Sequence, residues 1–598
     1  MRCTKHITLI LLLGMGIVMG TVMTTALAQD GPTPLPLATL VSPTLVPPAP
    51  TATPFTPVSI SALARIRQRE PQTLVVGIPF NLKPFASITE TGDVEGFEAD
   101  IARAIAEDWG TVINFRHVTP LNGHDLLRAG EIDLLFGQQL MSRDAPDYLD
   151  FSDPIFVGRQ VALAMADNAV NSILELSGQT VGVVVGSPGE EAFARWVAAN
   201  GMPVQTARFV MLDDAFRALG EGQITALVGD RWELDRRVRG QIEGVKLLAG
   251  APGEREGTFR TEPYGIAMLR HDENLRTLVN RTLQRLVASD RLRPIYDRWF
   301  PEGLMPVSDR VLPRTWRDLD ADTRTLNDFP VDIVRPARTV IDRLRAGEPL
   351  RVAGLGLPPG PNGQPSPLER FNTALVYEMA RRWGASVMVI PPSTLPTEDI
   401  LASGAADLAV GLEPRWGPVD RIDYAGIYAE RGYRMLVRVG SNIQSFAGLR
   451  TGGRRTIATF TDDPEAFEIA RRLAISVGLP EATIQNVPVR DEQAALQAVF
   501  ELQTARVLFG DSLRVVPLAN ANPQRVQLTD TFYNRRPLAF GVPRNDVAFR
   551  LLVDETLQDM FRDGTYQRMW QEHWNQGEPL TIIVWPGDSN PLNAATGG

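Results

Sequence analysis

The feature that most constrains the fold is an internal duplication. "GFEADIARAIAEDWG", ending at Gly110, returns as "RFNTALVYEMARRWG", ending at Gly384. "ALARIRQREPQTLVVGIP" returns as "TVIDRLRAGEPLRVAGLG". "ITALVGD", ending at Asp230, returns as "RVLFGD", ending at Asp511. "EPYGIAMLRHDENLRTLVNRTLQRLVASDRLRPIYDRW" returns as "RPLAFGVPRNDVAFRLLVDETLQDMFRDGTYQRMWQEHW". The matches keep their order and lie about 275 residues apart. Such a pattern means two copies of one domain of about 230 residues. A chain of 598 residues is also too long for a single core.

Within each copy, short apolar runs such as "TLVVGI", "EIDLLFG", "VALAMA", "TVGVVVG" and "TALVGD" alternate with helical patterns, several ending at glycine. That is βαβ logic with mainly parallel strands buried on both faces, an α/β fold. Open sheets of this type bind ligands at the carboxyl ends of their strands.

The flanks read differently. Arg2 and Lys5 precede an uncharged apolar run over residues 7–23, and "TTALAQD" offers a cut after Ala28. Residues 1–28 read as a signal peptide. The other reading is an uncleaved anchor, for which the run is a little short of the ~20 residues a spanning helix needs. No cysteine stands at the cut, so the usual bacterial lipoprotein is excluded. Residues 29–58 are a Pro/Thr-rich linker, extended and unable to bury a core. The first domain spans 59–301, a bridging segment 302–337, the second domain 338–577, and a tail 578–598. Export places the chain outside the cytoplasm.

Composition removes several functions. The net charge of -10 argues against a sequence-blind grip on nucleic acid. Cys3 is the only cysteine, which excludes disulfides, cysteine-based zinc sites and a catalytic thiol in the body. His6, His117, His124, His271 and His573 are scattered and form no HExxH. A carboxylate-only calcium site stays open. "GLGLPPG" at 354–360 resembles a nucleotide turn but runs into prolines instead of a helix N-terminus. No cofactor is expected.

The order of pieces in the first copy resembles the family 3 extracellular solute-binding proteins, the amino-acid receptors of ABC importers. The pieces are "LVVGI…KPF", "GDVEGFEADIARAIAEDWG", "LLRAGEIDLL", "LDFSDPIF", "LSGQTVGVVVGS", "AFRALGEGQITALVGD", "YGIAML" and "LRPIYDRWF". The second copy resembles the family more loosely, best at "DGTYQRMW". The resemblance implies two tandem periplasmic-binding-protein-like type II domains. Each has two lobes joined by crossing strands and a hinge. In the first copy, lobe one holds roughly residues 74–158 and 260–300, and lobe two 160–258. A small polar solute, an amino acid or a related compound, sits between the lobes. An ABC permease is the implied partner. A membrane is met only through that partner or an uncleaved signal.

An amino acid needs an Arg fork or helix-end N–H groups for its carboxylate and an acid for its ammonium. Counting back from Phe151, the family's Arg position falls on Ala145 and its hydroxyl position on Ser142, with Arg143 two residues early. Leu82 stands where the family carries an aromatic. Gln138 and Gln139 offer amides. Ser187 sits before a helix, as a cap or a carboxylate contact. Asp230 falls on the ammonium-binding acid, and its other reading is a helix cap. In the second copy Asp511 matches Asp230, and Arg415 and Arg421 flank Pro418 at the Arg position. That copy is either a second site for a different ligand or a silent partner. Three functions follow: a binding protein serving an importer, a surface sensor or scaffold without transport, and a dehydratase-like enzyme. No pair of titratable residues in the sequence points to acid–base catalysis, so the expectation is no enzyme.

Overall fold

The structure is a computed structural model describing residues 60–141, 145–241, 244–250, 257–300, 315–331, 336–356, 365–451 and 455–574. The expected signal peptide, linker and tail, with Ser142 and Arg143, lie outside these residues. No helix among the described residues is long and apolar enough to cross a membrane.

The first copy contributes eight principal strands: β1 (Thr73–Ile78), β2 (Val112–His117), β3 (Leu134–Leu140), β4 (Phe156–Met165), β5 (Thr180–Val184), β6 (Gln205–Phe209), β7 (Ala226–Asp230) and β8 (Thr258–Leu269). Their spatial order is β2-β1-β3-β8-β4-β7-β5-β6. The second copy contributes β9 (Leu350–Ala353), β10 (Val387–Val389), β11 (Leu408–Leu412), β12 (Ile422–Arg438), β13 (Arg455–Phe460), β14 (Ile484–Val489), β15 (Val507–Asp511) and β16 (Val526–Pro543). Their order is β10-β9-β11-β16-β12-β15-β13-β14, the same arrangement strand for strand. The outer pairs are parallel, as the buried apolar runs require. The central pair of each copy is antiparallel, because the chain crosses between lobes twice in opposite directions.

β8 pairs with β3 on one side and β4 on the other, and β4 goes on to pair with β7. The crossing strands thus tie two separate cores together. One packs Phe85, Phe97, Phe136, Phe156 and Tyr296; the other packs Val181, Phe193, Trp196 and Phe259. The second copy repeats this with Phe371, Tyr428, Phe540 and Trp570 in one core and Tyr433, Phe446 and Phe509 in another.

Side-chain hydrogen bonds are duplicated as well. Trp109 Nε1 donates to Thr282 Oγ1 at 2.8 Å, and Trp383 Nε1 to Thr556 Oγ1 at 2.7 Å. Asp272 accepts from the Ala62 N–H at 2.9 Å, and Asp546 from the Val340 N–H at 2.7 Å. Asp133 accepts from the Val75 N–H and Asp407 from the Arg351 N–H, both at 3.0 Å. The Tyr296 and Tyr566 hydroxyls donate to the Ile155 and Tyr428 carbonyls. Partners conserved between the copies in this way require the same tertiary fold in both.

The copies meet through their first lobes. Arg550 ion-pairs with Asp150, each almost fully buried. From the bridge, Trp316 stacks on Trp416 with centroids 4.3 Å apart, and Gln284 Oε1 accepts the Trp316 N–H at 2.9 Å and Trp416 Nε1 at 3.1 Å.

Candidate functional site

The site of the first copy is built where β7 ends. β7 runs from a buried apolar stretch to Asp230, and the helix Arg231–Gln241 starts immediately after it. Asp230 caps that helix: its Oδ1 accepts the Trp232 N–H at 3.2 Å. Its Oδ2 accepts from Gln160 Nε2, also at 3.2 Å. Gln160 sits opposite Asp230 on β4 and donates as well to Glu262 Oε2 at 2.8 Å. Glu262 is 1% exposed and also accepts from the Tyr264 hydroxyl at 2.9 Å and from Arg260 Nε at 2.7 Å.

Asp230 therefore shares an amide with a second acid, while Arg260 serves Glu262. Burial, then the Glu262 charge, pushes the Asp230 carboxyl well above the usual carboxylate range. Among the described residues no arginine or lysine ion-pairs with Asp230. A small, partly open hollow of about 10 Å³ lies against it, lined by Phe156, Val157, Gly158, Arg159, Asp230, Arg231 and Trp232. Gly158 keeps the carboxylate's face open: a Cβ there would stand 3.2 Å from Asp230 Oδ2 and 3.0 Å from the Tyr264 ring. Trp232 reaches from lobe two to lobe one, its ring edge-on to Phe85 at 5.3 Å.

The other candidates are placed as follows. Leu82 packs, half-buried, against the lobe-one core. Gln138 adopts φ 50° and donates its backbone N–H to Glu98 at 2.8 Å, as Gly137 does. Glu98 is fully buried at the start of the helix Phe97–Trp109, and burial pushes its carboxyl up to about 7 against those two donors. The Gln139 amide is engaged locally, donating to the Phe136 and Gly137 carbonyls at 3.2 and 3.3 Å. Ser187 caps the helix Pro188–Asn200, accepting the Glu190 N–H at 3.2 Å. Ala145 packs half-buried against the cluster around Phe151. Of the candidates among the described residues, the hollow takes in Asp230 alone.

In the second copy Asp511 caps its helix through the Leu513 N–H at 2.9 Å and also accepts Arg431 Nε at 2.9 Å. Arg415 and Arg421 pair with Glu398 and Asp399, both at 2.5 Å. Sequence reasoning missed Gly158, Gln160, Trp232 and Glu262. The available signal was a small residue and polar side chains inside crossing strands that are otherwise apolar, "IFVGRQVALAM" and "TFRTEPYGIAML". Among the described residues no group of three or more His, Cys, Asp or Glu is placed to hold a metal.

Chemically, the arrangement is a small hollow against a buried acid at a strand's carboxyl end, and among the described residues that acid has no ion-pair partner. It can hold a cation. The profile of the bacterial extracellular solute-binding proteins, family 3, matches residues 74–302. A glutamine-binding protein of Geobacillus stearothermophilus is 31% identical over 222 residues, covering 36% of this chain and 78% of that protein. A probable histidine-binding protein of Neisseria gonorrhoeae is 28% identical, covering 36% of this chain and 79% of its own length. An ABC transporter glutamine-binding protein of Bacillus subtilis (strain 168) is 28% identical, covering 40% and 85%. A solved ancestral arginine-binding protein bound to glutamine is 29% identical, covering 38% and 98%, with a TM-score of 0.30. With the Geobacillus stearothermophilus protein 31% identical and matched over 78% of its length, the chain belongs to the bacterial extracellular solute-binding proteins of family 3.

Proposed function

We propose that the first copy captures a small solute carrying a cationic group, an amino acid or a related compound, between its lobes outside the cytoplasm, for an ABC permease. The observation that carries this reading is Asp230: a buried carboxyl with no cationic partner among the described residues, facing a small hollow at the hinge. An ammonium at hydrogen-bond distance would return it to its ionised form and supply the missing charge. The three relatives described above are named for glutamine or histidine, whose α-ammonium fits that demand. Trp232 touches both lobes, so a solute beside it would favour closure by contacting the closed form better than the open one. The role is capture without turnover.

The test is calorimetric titration and thermal unfolding of the full chain with L-glutamine, L-histidine and L-arginine. A solute at 100 times its Kd adds about 2.7 kcal/mol to the copy that holds it. Asp230→Asn removes a charge-assisted contact of about 1.5–3 kcal/mol and should weaken binding about 10- to 150-fold. Equal affinity in D230N, or no response to any of the three amino acids, would overturn the reading.

A further inference from the structure

We infer that the second copy is not a solute site: its cleft is filled and held shut by the chain's own arginines. The two copies share one strand order, so their crossing strands can be compared position by position. In the first copy Gly158 on β4 stands opposite Glu262 on β8. In the second, Arg431 on β12 stands opposite Arg536 on β16. Two residues further along, Gln160 faces Asp230 and Tyr433 faces Asp511. The glycine and the acid have both become arginine, while the acid at the strand's end has stayed.

Each arginine has a destination. Arg431 places its guanidinium on Asp511, with Nε at 2.9 Å and an Nη at 2.5 Å, both on Oδ2. Among the described residues, Asp230 has no such cation. Arg536 contacts Glu413 at 3.6 Å and Glu465 at 2.9 Å. Glu413 follows β11 in lobe one, and Glu465 opens the helix Pro464–Ser476 in lobe two. Arg536 thus ties one lobe to the other. Arg317 from the bridge makes the same two contacts, at 3.6 and 3.2 Å. It is fixed from both sides: Trp316 is held by Trp416 and Gln284, and Asp318 accepts the Trp416 and Gly417 N–H groups at 2.5 and 2.8 Å. Two guanidinium groups on one pair of carboxylates across a cleft do the work a bound solute does elsewhere, with no solute to release. The analogy between Arg431 and an ammonium rests on the proposed function of Asp230; the Glu413–Glu465 latch does not.

The test is a lobe-to-lobe distance within the second copy of the full chain. Spin labels go on cysteines replacing Tyr377 on the helix Pro367–Arg382 and Ile475 on the helix Pro464–Ser476, both exposed, in a Cys3→Ser background. Electron-spin distance measurement should give one narrow distribution, unchanged by L-glutamine, L-histidine or L-arginine. R317A/R536A should lengthen or broaden it, and so should the isosteric E413Q/E465Q, which leaves the packing in place. An amino-acid-dependent distance in the parent chain, or an unchanged distribution in either double variant, would overturn the inference. Because these labels report only the second copy, a failure of D230N to weaken binding leaves the outcome readable.

Discussion

Replacing Arg550 by methionine removes a guanidinium that joins buried acids of both copies. Its side chain is 4% exposed; it pairs with Asp150, 3% exposed, and lies 3.6 Å from Asp554. Burial pushes the Asp554 carboxyl up to about 6 even though Arg550 pulls it down. An unfolded aspartate titrates near 3.9. The folded value is the higher one, so stability falls as pH rises from about 3.9 to about 6 and then levels off. Without Arg550 the folded value rises further, and the fall continues above pH 6. At pH 7.5 that adds up to about 1.5 units at about 1.4 kcal/mol each, or about 2 kcal/mol, and nothing below pH 6. Asp150 keeps Arg276 at 3.6 Å, and its weakened pairing brings the total to about 3–5 kcal/mol, the usual range for breaking a buried pair. The assay is urea unfolding of the full chain by tryptophan emission at pH 5.5 and 7.5. D150N/R550M should cost less than the sum of its two single variants, because it removes both charges of the pair. A loss below about 1 kcal/mol at pH 7.5, or the same loss at both pH values, refutes the reasoning.

Three further outcomes follow from the packing. Glu98, pushed up to about 7, makes stability fall between about pH 4.5 and 7 by about 3 kcal/mol; E98Q should flatten that part of the unfolding profile, and an unchanged slope would refute the assignment. Thr282→Val leaves the Trp109 indole N–H buried without its acceptor and should lower stability by about 1–3 kcal/mol in urea unfolding; a loss within error would show the hydrogen bond is immaterial. Gly96 has φ 137°, and a Cβ there would run into the Phe85 carbonyl; G96A should cost about 3 kcal/mol or more and be seen as a lowered Tm or lost soluble yield, and a variant as stable as the parent would contradict the backbone geometry.

Much of the architecture was legible in the linear order of residues. The repeat from "GFEADIARAIAEDWG" to "RFNTALVYEMARRWG" announced two copies, and the structure repeats even the Trp109–Thr282 and Trp383–Thr556 hydrogen bonds. Apolar runs gave the strands, and Asp230 and Asp511 were found at strand ends because a strand that leaves a buried core must stop at a polar residue. The capping alternatives at Ser187 and Asp230 are both seen, since capping depends on neighbours two or three residues away. Gln139 shows the limit: an amide that a sequence presents as available is engaged by its own strand's carbonyls.

The amino-acid order by itself determined the duplication, the α/β class and the acid at the end of each seventh strand, because these depend on local periodicity. Only the tertiary structure decided which side chains answer those acids. Gln160 meets Asp230 across 70 residues and Glu262 across 102, and Arg431 meets Asp511 across 80. Such meetings are set by strand register, where a slip of one residue turns every side chain to the opposite face, and register comes from packing the whole sheet.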